Sequence, residues 1–139
     1  MSEIISSFLS FDNYTIREFI FNHDNKFEND GEQIQLEYNF GADSAINEDK
    51  TNAKITLVCE IFNENLYLND QSPFYIRVKL DGFFSCSTDI EINEFELNGI
   101  AILLPYLRAF VTSFTSQAGI PVVIIPPINV YNMLNNNEE

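Results

Sequence analysis

The side chains that most often perform chemistry are sparse in this chain of 139 residues. His23 is the single histidine, and it lies in a turn rich in Asp and Asn, where a solvated side chain is the ordinary interpretation rather than a catalytic base. The carboxylates at 24–32 lack the spacing and central glycine of a calcium loop and fit a solvated acidic turn. The sequence contains no nucleophile elbow, zinc-protease, phosphate-loop or dinucleotide-binding motif. It therefore predicts a protein that is not an enzyme and that uses no metal or cofactor.

Two other kinds of reactive residue also favour a structural interpretation. Cys59 and Cys86 lie in apolar stretches typical of strands, without a CxxC pair or nearby histidines, which indicates neither a zinc site nor a disulfide framework. We interpret both as reduced core residues, which favours a cytoplasmic protein. The carboxylates of Glu94 and Glu96 are close in sequence, but we expect them in a linker with no sign of a pocket.

Charge is distributed very unevenly along the chain. The net charge is −14 and the isoelectric point is about 4.1, which disfavours nucleic acid and anionic membranes as partners and favours basic ones. Solubility alone is the alternative explanation. Of the 21 acidic residues, 19 lie in residues 1–98, whereas Arg108 is the one charged residue in 99–137. A segment so poor in charge must be buried, either inside the subunit or between subunits.

Length and hydrophobicity predict one folded domain over residues 1–139, with a sheet in 1–98 and a helical, proline-rich part in 99–139. The start, Met1-Ser2-Glu3, lacks the basic region of a signal peptide. The most apolar stretch, 99–114, contains Pro105 and Arg108, so we expect no insertion into a membrane.

The first part of the chain has the pattern of strands. Segments 4–21, 33–40, 53–62 and 73–86 are rich in β-branched and aromatic residues, and two of them alternate apolar with polar positions. Clusters of Asp, Asn and Gly at 22–32, 41–52 and 63–72 predict turns. Four strands with short polar connections predict an antiparallel meander.

The second part of the chain changes to helical spacing. Pro105 suits a first helical turn and Gly119 a C-terminal stop, which predicts a helix over 103–118. The helix has two apolar stripes, and one sheet face cannot cover both, so a partner subunit or a second helix must cover the other. The prolines of 120–127 predict an extended segment, and 128–135 predicts one or two helical turns.

Particular residues of this second part carry a family resemblance. The run Ile-Leu-Leu-Pro-Tyr-Leu-Arg at 102–108, the pair Thr112-Ser113, Pro121 and the triplet Pro-Ile-Asn at 127–129 resemble a signature of the SecB family of protein-export chaperones. The stretch 82–85, Gly-Phe-Phe-Ser, is similar to the end of a family strand. The resemblance implies an α+β fold, in which a four-stranded antiparallel sheet carries one long helix and a short C-terminal helix on one face.

The resemblance also implies a function. A SecB-like protein is an ATP-independent chaperone that holds unfolded preproteins in hydrophobic grooves and docks on the export ATPase. It assembles as a homotetramer, a dimer of dimers, and a dimer is the alternative for this chain. Mapped onto this sequence, the oligomer interface is Ile76, Val78, Leu80, Leu107, Phe110, Val111 and Phe114. The client-binding groove is Leu36, Tyr38, Phe74, Tyr131, Met133 and Leu134. An ordinary core is the alternative for both sets.

Some residues depart from the family pattern and leave the function open. Ile20 and Asn22 replace a serine and a glutamate of the first strand, and Arg77 replaces an acidic residue of the family's docking surface. The chain ends soon after Leu134, without the polar tail of family members that bind the export ATPase. A chaperone dedicated to one client such as an antitoxin, or an interaction module without an export role, is therefore the alternative function.

Overall fold

The structure is a computed structural model that describes residues 9–23, 35–49, 51–86 and 92–130. Four antiparallel strands form one sheet in the order β1-β4-β3-β2. The strands are β1 (Leu9–His23), β2 (Tyr38–Ile46), β3 (Asn52–Ile61) and β4 (Phe74–Cys86). Two helices accompany them, α1 (Glu64–Leu68) and α2 (Ile92–Gln117). The predicted α+β class with a four-stranded antiparallel sheet is confirmed.

The connectivity differs from a simple meander at one strand. Strands β2, β3 and β4 follow one another as neighbours, but β1 pairs with β4 at the far edge instead of with β2. Tight hairpins use about two to five connecting residues. The connection from His23 to Tyr38 is longer than that, so the chain is free to place β1 at the other edge.

Strand β2 also differs from the prediction. It begins at Tyr38 and runs on to Ile46, through residues 41–46 that were predicted as a turn. Gly41, Ala42 and Ala45 are poor strand formers by propensity, but here they pair in unbroken register with β3. Pairing with a neighbouring strand therefore outweighs local preference in this segment.

Helix α2 is longer than predicted and begins at Ile92 rather than near residue 103. Pro105 lies inside the helix, not in its first turn, and is exposed to solvent. Buried apolar positions continue towards the N-terminus at helical spacing, through Ile100 and Phe95. Glu94 and Glu96, predicted in a linker, are therefore helical. Of the predicted C-terminal helix, residues 131–135 lie outside the described residues.

The core lies between α2 and one face of the sheet, which we call the inner face. Two glycines allow the helix to approach closely. A Cβ atom at Gly99 would lie 2.1 Å from Ile55 Cδ1, and one at Gly82 would lie 2.5 Å from Leu103 Cδ2. Segment 120–130 covers more of the core with Val123 and Ile125, each 1% exposed. The other side of the sheet, the outer face, carries most of the charged side chains of the strands.

Candidate functional site

From Gly99 onwards, the outward side of α2 is a surface without charge on a chain of net charge −14. Its exposed residues in the middle of the helix are Ala101, Pro105, Tyr106 and Ala109. Tyr106 is 38% exposed and its ring packs at a tilt beside that of Tyr14 of β1, with ring centroids 4.7 Å apart. Uncovered apolar surface of this kind is typical of a site that contacts another polypeptide.

Segment 120–127 extends this surface because its side chains alternate. Val123 and Ile125 point into the core, whereas Val122 and Ile124 are 50% and 69% exposed. Hydrogen bonds fix the segment to α2. Arg108 Nε donates to Ile125 O at 2.9 Å, Thr112 Oγ1 donates to Val123 O at 3.0 Å, and the Val123 amide donates to Thr115 Oγ1 at 2.9 Å. The one charged residue of this part therefore binds a backbone carbonyl. We call the exposed residues Ala101, Pro105, Tyr106 and Ala109 of α2, together with Val122 and Ile124, the α2 face.

The structure separates the predicted interface residues into two groups. Five of them are 0–1% exposed in the single chain: Ile76, Val78, Leu80, Leu107 and Val111. They belong to the core of the subunit, because α2 and segment 120–130 already cover the sheet there, and a partner has no surface of theirs to contact. Phe110 and Phe114 are half-buried and line an open cleft of about 330 Å³ with Ser113 and Gln117.

Aromatic rings of β1 pack against these two phenylalanines. The Phe19 ring lies 5.1 Å from Phe110 and 4.6 Å from Phe114, both edge to face, and Phe21 lies 4.9 Å from Phe114. β1 thus covers part of the second apolar stripe of the helix, and the remaining part of Phe110 and Phe114 is open to solvent at the cleft. Sequence spacing revealed the stripe but could not show that β1 covers it.

The predicted groove residues lie at one end of the sheet, as far as they are described. Leu36 and Tyr38 are half-buried and pack on the core, and Phe74 is 4% exposed against Phe62 at 5.3 Å. Phe74 is therefore a core residue of the single chain. Tyr131, Met133 and Leu134 lie outside the described residues.

The inner face of β2 holds an apolar strip that the prediction included only in part. Tyr38 and Phe40 stack at 6.5 Å, and Ala42 and Ile46 continue the row as half-buried residues. Helix α2 packs mainly on β3, β4 and β1. It approaches β2 where Ser44 Oγ donates to Glu96 Oε1 at 2.5 Å. Leu36 and these four residues form what we call the β2 strip.

The outer face carries charges of both signs close together. Arg17, Lys54, Arg77 and Lys79 alternate there with carboxylates. Arg17 Nε lies 2.7 Å from Asp81 Oδ2, and Arg77 pairs with Glu18. The outer face therefore mixes charges of both signs, where the docking surface of the family is acidic and the sequence retains it only in part, with Glu18 at an acidic position and Arg77 in place of another.

The two cysteine thiols are held in their protonated form by burial. Burial, reinforced by the charge of Glu60, raises the pKa of the Cys59 thiol to about 12, and burial also raises the pKa of Cys86. Both thiols are free. Within the described ranges no group of three or more His, Cys, Asp or Glu side chains could hold a metal ion.

The length and composition of α2 also meet the criteria for a helix that crosses a membrane, with a mean hydropathy of 1.4 over its most apolar window. Core helices of folded domains meet the same criteria. One side of α2 packs on the sheet through Leu103 and Leu107, both 0% exposed, and this packing accounts for much of its apolar composition.

Comparison with known proteins gives a relative in sequence and several likenesses in fold. The chain is 36% identical over 136 residues to uncharacterized protein MJ0357 of Methanocaldococcus jannaschii, covering 94% of this chain and 85% of that protein. No known family profile matches the sequence.

Two of the solved structures that resemble the chain do so at low identity, which shows the fold alone. The SecB-like chaperone Rv1957 of Mycobacterium tuberculosis, in complex with a ChAD peptide from the antitoxin HigA1, has a TM-score of 0.72 at 11% identity. The alignment covers 90% of this chain and 94% of that one. A protein of unknown function from Streptococcus agalactiae has a TM-score of 0.51 at 14% identity, over 86% and 97% of the two chains. The fold is therefore SecB-like.

Proposed function

Because this chain belongs to the family of the M. jannaschii protein MJ0357 and has a SecB-like fold, we propose that it is a SecB-like chaperone that binds unfolded polypeptides without catalysis. The observation that carries the proposal is the uncharged α2 face, with Val122 and Ile124 exposed on a chain of net charge −14. The surrounding negative charge keeps such a surface soluble and attracts basic segments of clients. The cytoplasm is the compartment that fits this role.

Self-association belongs to the same proposal. The outward side of α2 pairs apolar groups when two copies meet, and burial of apolar area stabilises association by roughly 25 cal/mol per Å². Phe110, Phe114 and Tyr106 are the aromatic residues of α2 that remain accessible for this contact. We propose a dimer, or a tetramer built as a dimer of dimers.

Light scattering of an aggregating unfolded protein tests the chaperone function, with the mass of the purified protein measured by analytical ultracentrifugation. We expect suppression at several-fold excess and a mass above that of one chain. Ala109→Glu places a charge on the α2 face and should lower the mass. Leu68→Glu places the same charge on α1, at a side chain 66% exposed, and should leave it unchanged. Absence of suppression contradicts a general chaperone, and a monomeric mass contradicts the interface.

A dedicated client is the second candidate, and one observation favours it. The SecB-like chaperone from M. tuberculosis was solved with a peptide of an antitoxin. The outer face with its four basic residues also differs from the acidic surface expected for docking on an export ATPase. Suppression assays with several unrelated clients separate the two candidates, because a dedicated chaperone should protect one client and a general export chaperone should protect most of them.

A further inference from the structure

The extended segment after α2 has two backbone sides, and the helix occupies one of them. The amide of Val123 donates to Thr115 Oγ1 at 2.9 Å, and its carbonyl accepts from Thr112 Oγ1 at 3.0 Å. The carbonyl of Ile125 accepts from Arg108 Nε at 2.9 Å. The odd-numbered residues of this segment therefore direct their backbone groups to α2.

We call residues 121–126 the strap, and its even-numbered residues face the other way. In an extended chain, successive residues direct their N–H and C=O groups to opposite sides, so Val122 and Ile124 direct theirs away from α2. Within the described ranges, no hydrogen bond engages these groups. An unpaired backbone group is tolerated only where water reaches it, and these two residues are 50% and 69% exposed. The strap is thus a short strand edge open to solvent.

The residues of the strap suit pairing with another strand over a short length. Val122 and Ile124 are β-branched, as is usual in strands. Pro126 is even-numbered and has no amide to donate, so it ends the run that can pair, and Pro121 precedes it at the other end. The edge therefore accepts one short partner strand rather than a long one.

Charge indicates what kind of strand that is. Each chain carries a net charge of −14, but residues 99–130 contain one charged residue, Arg108, and its Nε is engaged by the Ile125 carbonyl. Two copies that meet at the strap place no like charges opposite each other. A basic client segment finds no carboxylate on the strap or on the part of α2 that binds it. The strap therefore favours a second copy of this chain over a basic polypeptide.

The strap is also complementary to itself. In an antiparallel pair with a two-fold axis at Val123, Val122 of one copy lies opposite Ile124 of the other, and each such pair exchanges two N–H···O bonds. The apolar side chains of each pair adjoin on the same face. Because the other side of each strap is bonded to its own α2, the pair leaves no further edge open, and the contact closes with two copies.

We propose that the strap pairs with the strap of a second copy as an antiparallel two-stranded ribbon. This inference rests on the proposed self-association and adds a backbone contact to the side-chain contact between the outward sides of two α2 helices. Two different two-fold contacts on each chain generate a dimer of dimers, so the assembly is a tetramer.

Sedimentation of variants tests each contact separately. Ala101→Glu places a carboxylate on the outward side of α2, about two turns before Arg108, and should leave a dimer held by the straps. Ile124→Pro removes the amide that faces the edge and should leave a dimer held by the helices. The double variant should be a monomer. Analytical ultracentrifugation of the full chain over a range of concentrations gives each mass.

A matched control separates the amide from the side chain. In the Ala101→Glu background, Ile124→Pro should raise the dissociation constant of the dimer at least about tenfold, because each copy loses a donor. Ile124→Val keeps the amide, has a bulk close to that of proline, and should change the constant by less than about threefold. Circular dichroism and thermal unfolding verify that the variants are folded, as expected for a side chain 69% exposed.

An exchange of charge shows whether strap meets strap. Ile124→Glu and Ile124→Lys each place like charges on one face of the ribbon, at diagonal positions within reach of long side chains, and each alone should weaken the dimer of the Ala101→Glu chain. An equimolar mixture of the two should form the mixed dimer in preference to either parent, which native mass spectrometry measures. Contact of the strap with a different surface of the second copy gives no such preference.

Four results would overturn the proposal. If Ala101→Glu sediments as a monomer, or if Ile124→Pro leaves its dimer unchanged, the straps do not pair, while suppression of aggregation by the unmodified chain leaves the chaperone function standing. If a fluorescent peptide alternating lysine and leucine loses affinity for Ile124→Pro and the mass stays constant, a client occupies the strap. If the unmodified chain is itself a monomer, the proposed self-association fails with this inference.

Discussion

The inner and outer faces of the same sheet are stabilised by different physical means. On the inner face, Ile55, Leu57 and Cys59 of β3 are 0% exposed and contact other apolar groups. On the outer face of the adjacent strand, Asp81 is 5% exposed and is paired with Arg17 and with Thr56, whose hydroxyl donates to it at 2.7 Å. One face therefore depends on shape and volume, and the other on satisfied polar groups.

The difference shows how a chain with so much negative charge keeps a stable sheet. The outer face pairs or hydrogen-bonds its buried polar groups, as where the Tyr75 hydroxyl donates to Glu60 Oε2 at 2.5 Å. No buried side-chain nitrogen or oxygen among the described residues lacks a partner. The surplus of carboxylates thus lies elsewhere, including the margin of β2, where it can act on partners rather than on folding.

The largest effect should come from a cavity under α2. Leu107→Ala removes a side chain that is 0% exposed on the inner face, and we expect a loss of about 3 kcal/mol in the free energy of unfolding. Leu68→Ala makes the same chemical change at a residue 66% exposed and should stay within about 0.5 kcal/mol. Urea titration measures both. Equal losses would contradict the assignment of Leu107 to the core.

Adding volume should distinguish the two sides of the sheet in a similar way. Gly99→Val places atoms against Ile55 Cδ1, 2.1 Å from the first added carbon, and should cost about 2 kcal/mol. Gly41→Val meets open space on the outer face and should change stability by less than about 0.5 kcal/mol. Thermal unfolding of the two variants gives the comparison. A stable Gly99→Val protein would show that α2 does not pack this closely.

A polar deletion tests the outer face. Asp81→Ala leaves the Thr56 hydroxyl without its acceptor and Arg17 without its carboxylate, and Arg17, with a side chain 49% exposed, can be solvated instead. We expect a loss of about 1.5 kcal/mol. Asp43→Ala removes an exposed carboxylate from the same face and should cost less than about 0.5 kcal/mol. Chemical denaturation that gives the two variants equal stability would contradict the described network.

Sequence patterns predicted the fold where local periodicity agrees with packing. The alternation of 73–86 assigned Ile76, Val78 and Leu80 to one face, as observed. In β1 the same signal is hidden, because each register shift changes the parity. The residues packed towards the helix there are Leu9, Phe11, Tyr14, Ile16, Phe19 and Phe21, with spacings of two and three.

The start of α2 was missed because Pro105 and the carboxylates before it resemble a helix boundary. In the structure, contacts of Phe95 and Gly99 with the sheet stabilise this part of the helix.

The candidate site was predictable only in its composition. Absence of charge in 99–137 predicted a buried segment, but it could not separate Val123 from Val122, whose exposures are 1% and 50%. That separation depends on which backbone groups α2 binds, such as Ile125 O by Arg108. The β2 strip was missed beyond Tyr38, because glycine and alanine at 41–42 favoured a turn. The family resemblance predicts the fold class, but it does not predict which side chains of the segment are exposed to solvent.

Alkaline pH should give the smallest effect and involves one group from each face. On the inner face, burial raises the pKa of Cys59 from 9.0 to about 12, and on the outer face burial and the bond to Glu60 raise the pKa of Tyr75 above 10.0. Below about pH 8 both groups are protonated in the folded and unfolded chains, so their contribution is fully present. Above that pH the unfolded chain releases protons that the folded chain keeps.

The free energy of unfolding should therefore fall by about 1 kcal/mol in total as pH rises from about 8 to about 9.5, since the unfolded state binds fewer protons. Urea titrations at a series of pH values measure the slope. Cys59→Ala should reduce the slope from about pH 9, where the thiol titrates in the unfolded chain, and Tyr75→Phe only from about pH 10, so each face can be assigned its own part of the curve. A stability that stays level to pH 11 would mean that water reaches both groups in the folded protein, and that neither face excludes solvent as closely as the packing of Cys59 and Tyr75 requires.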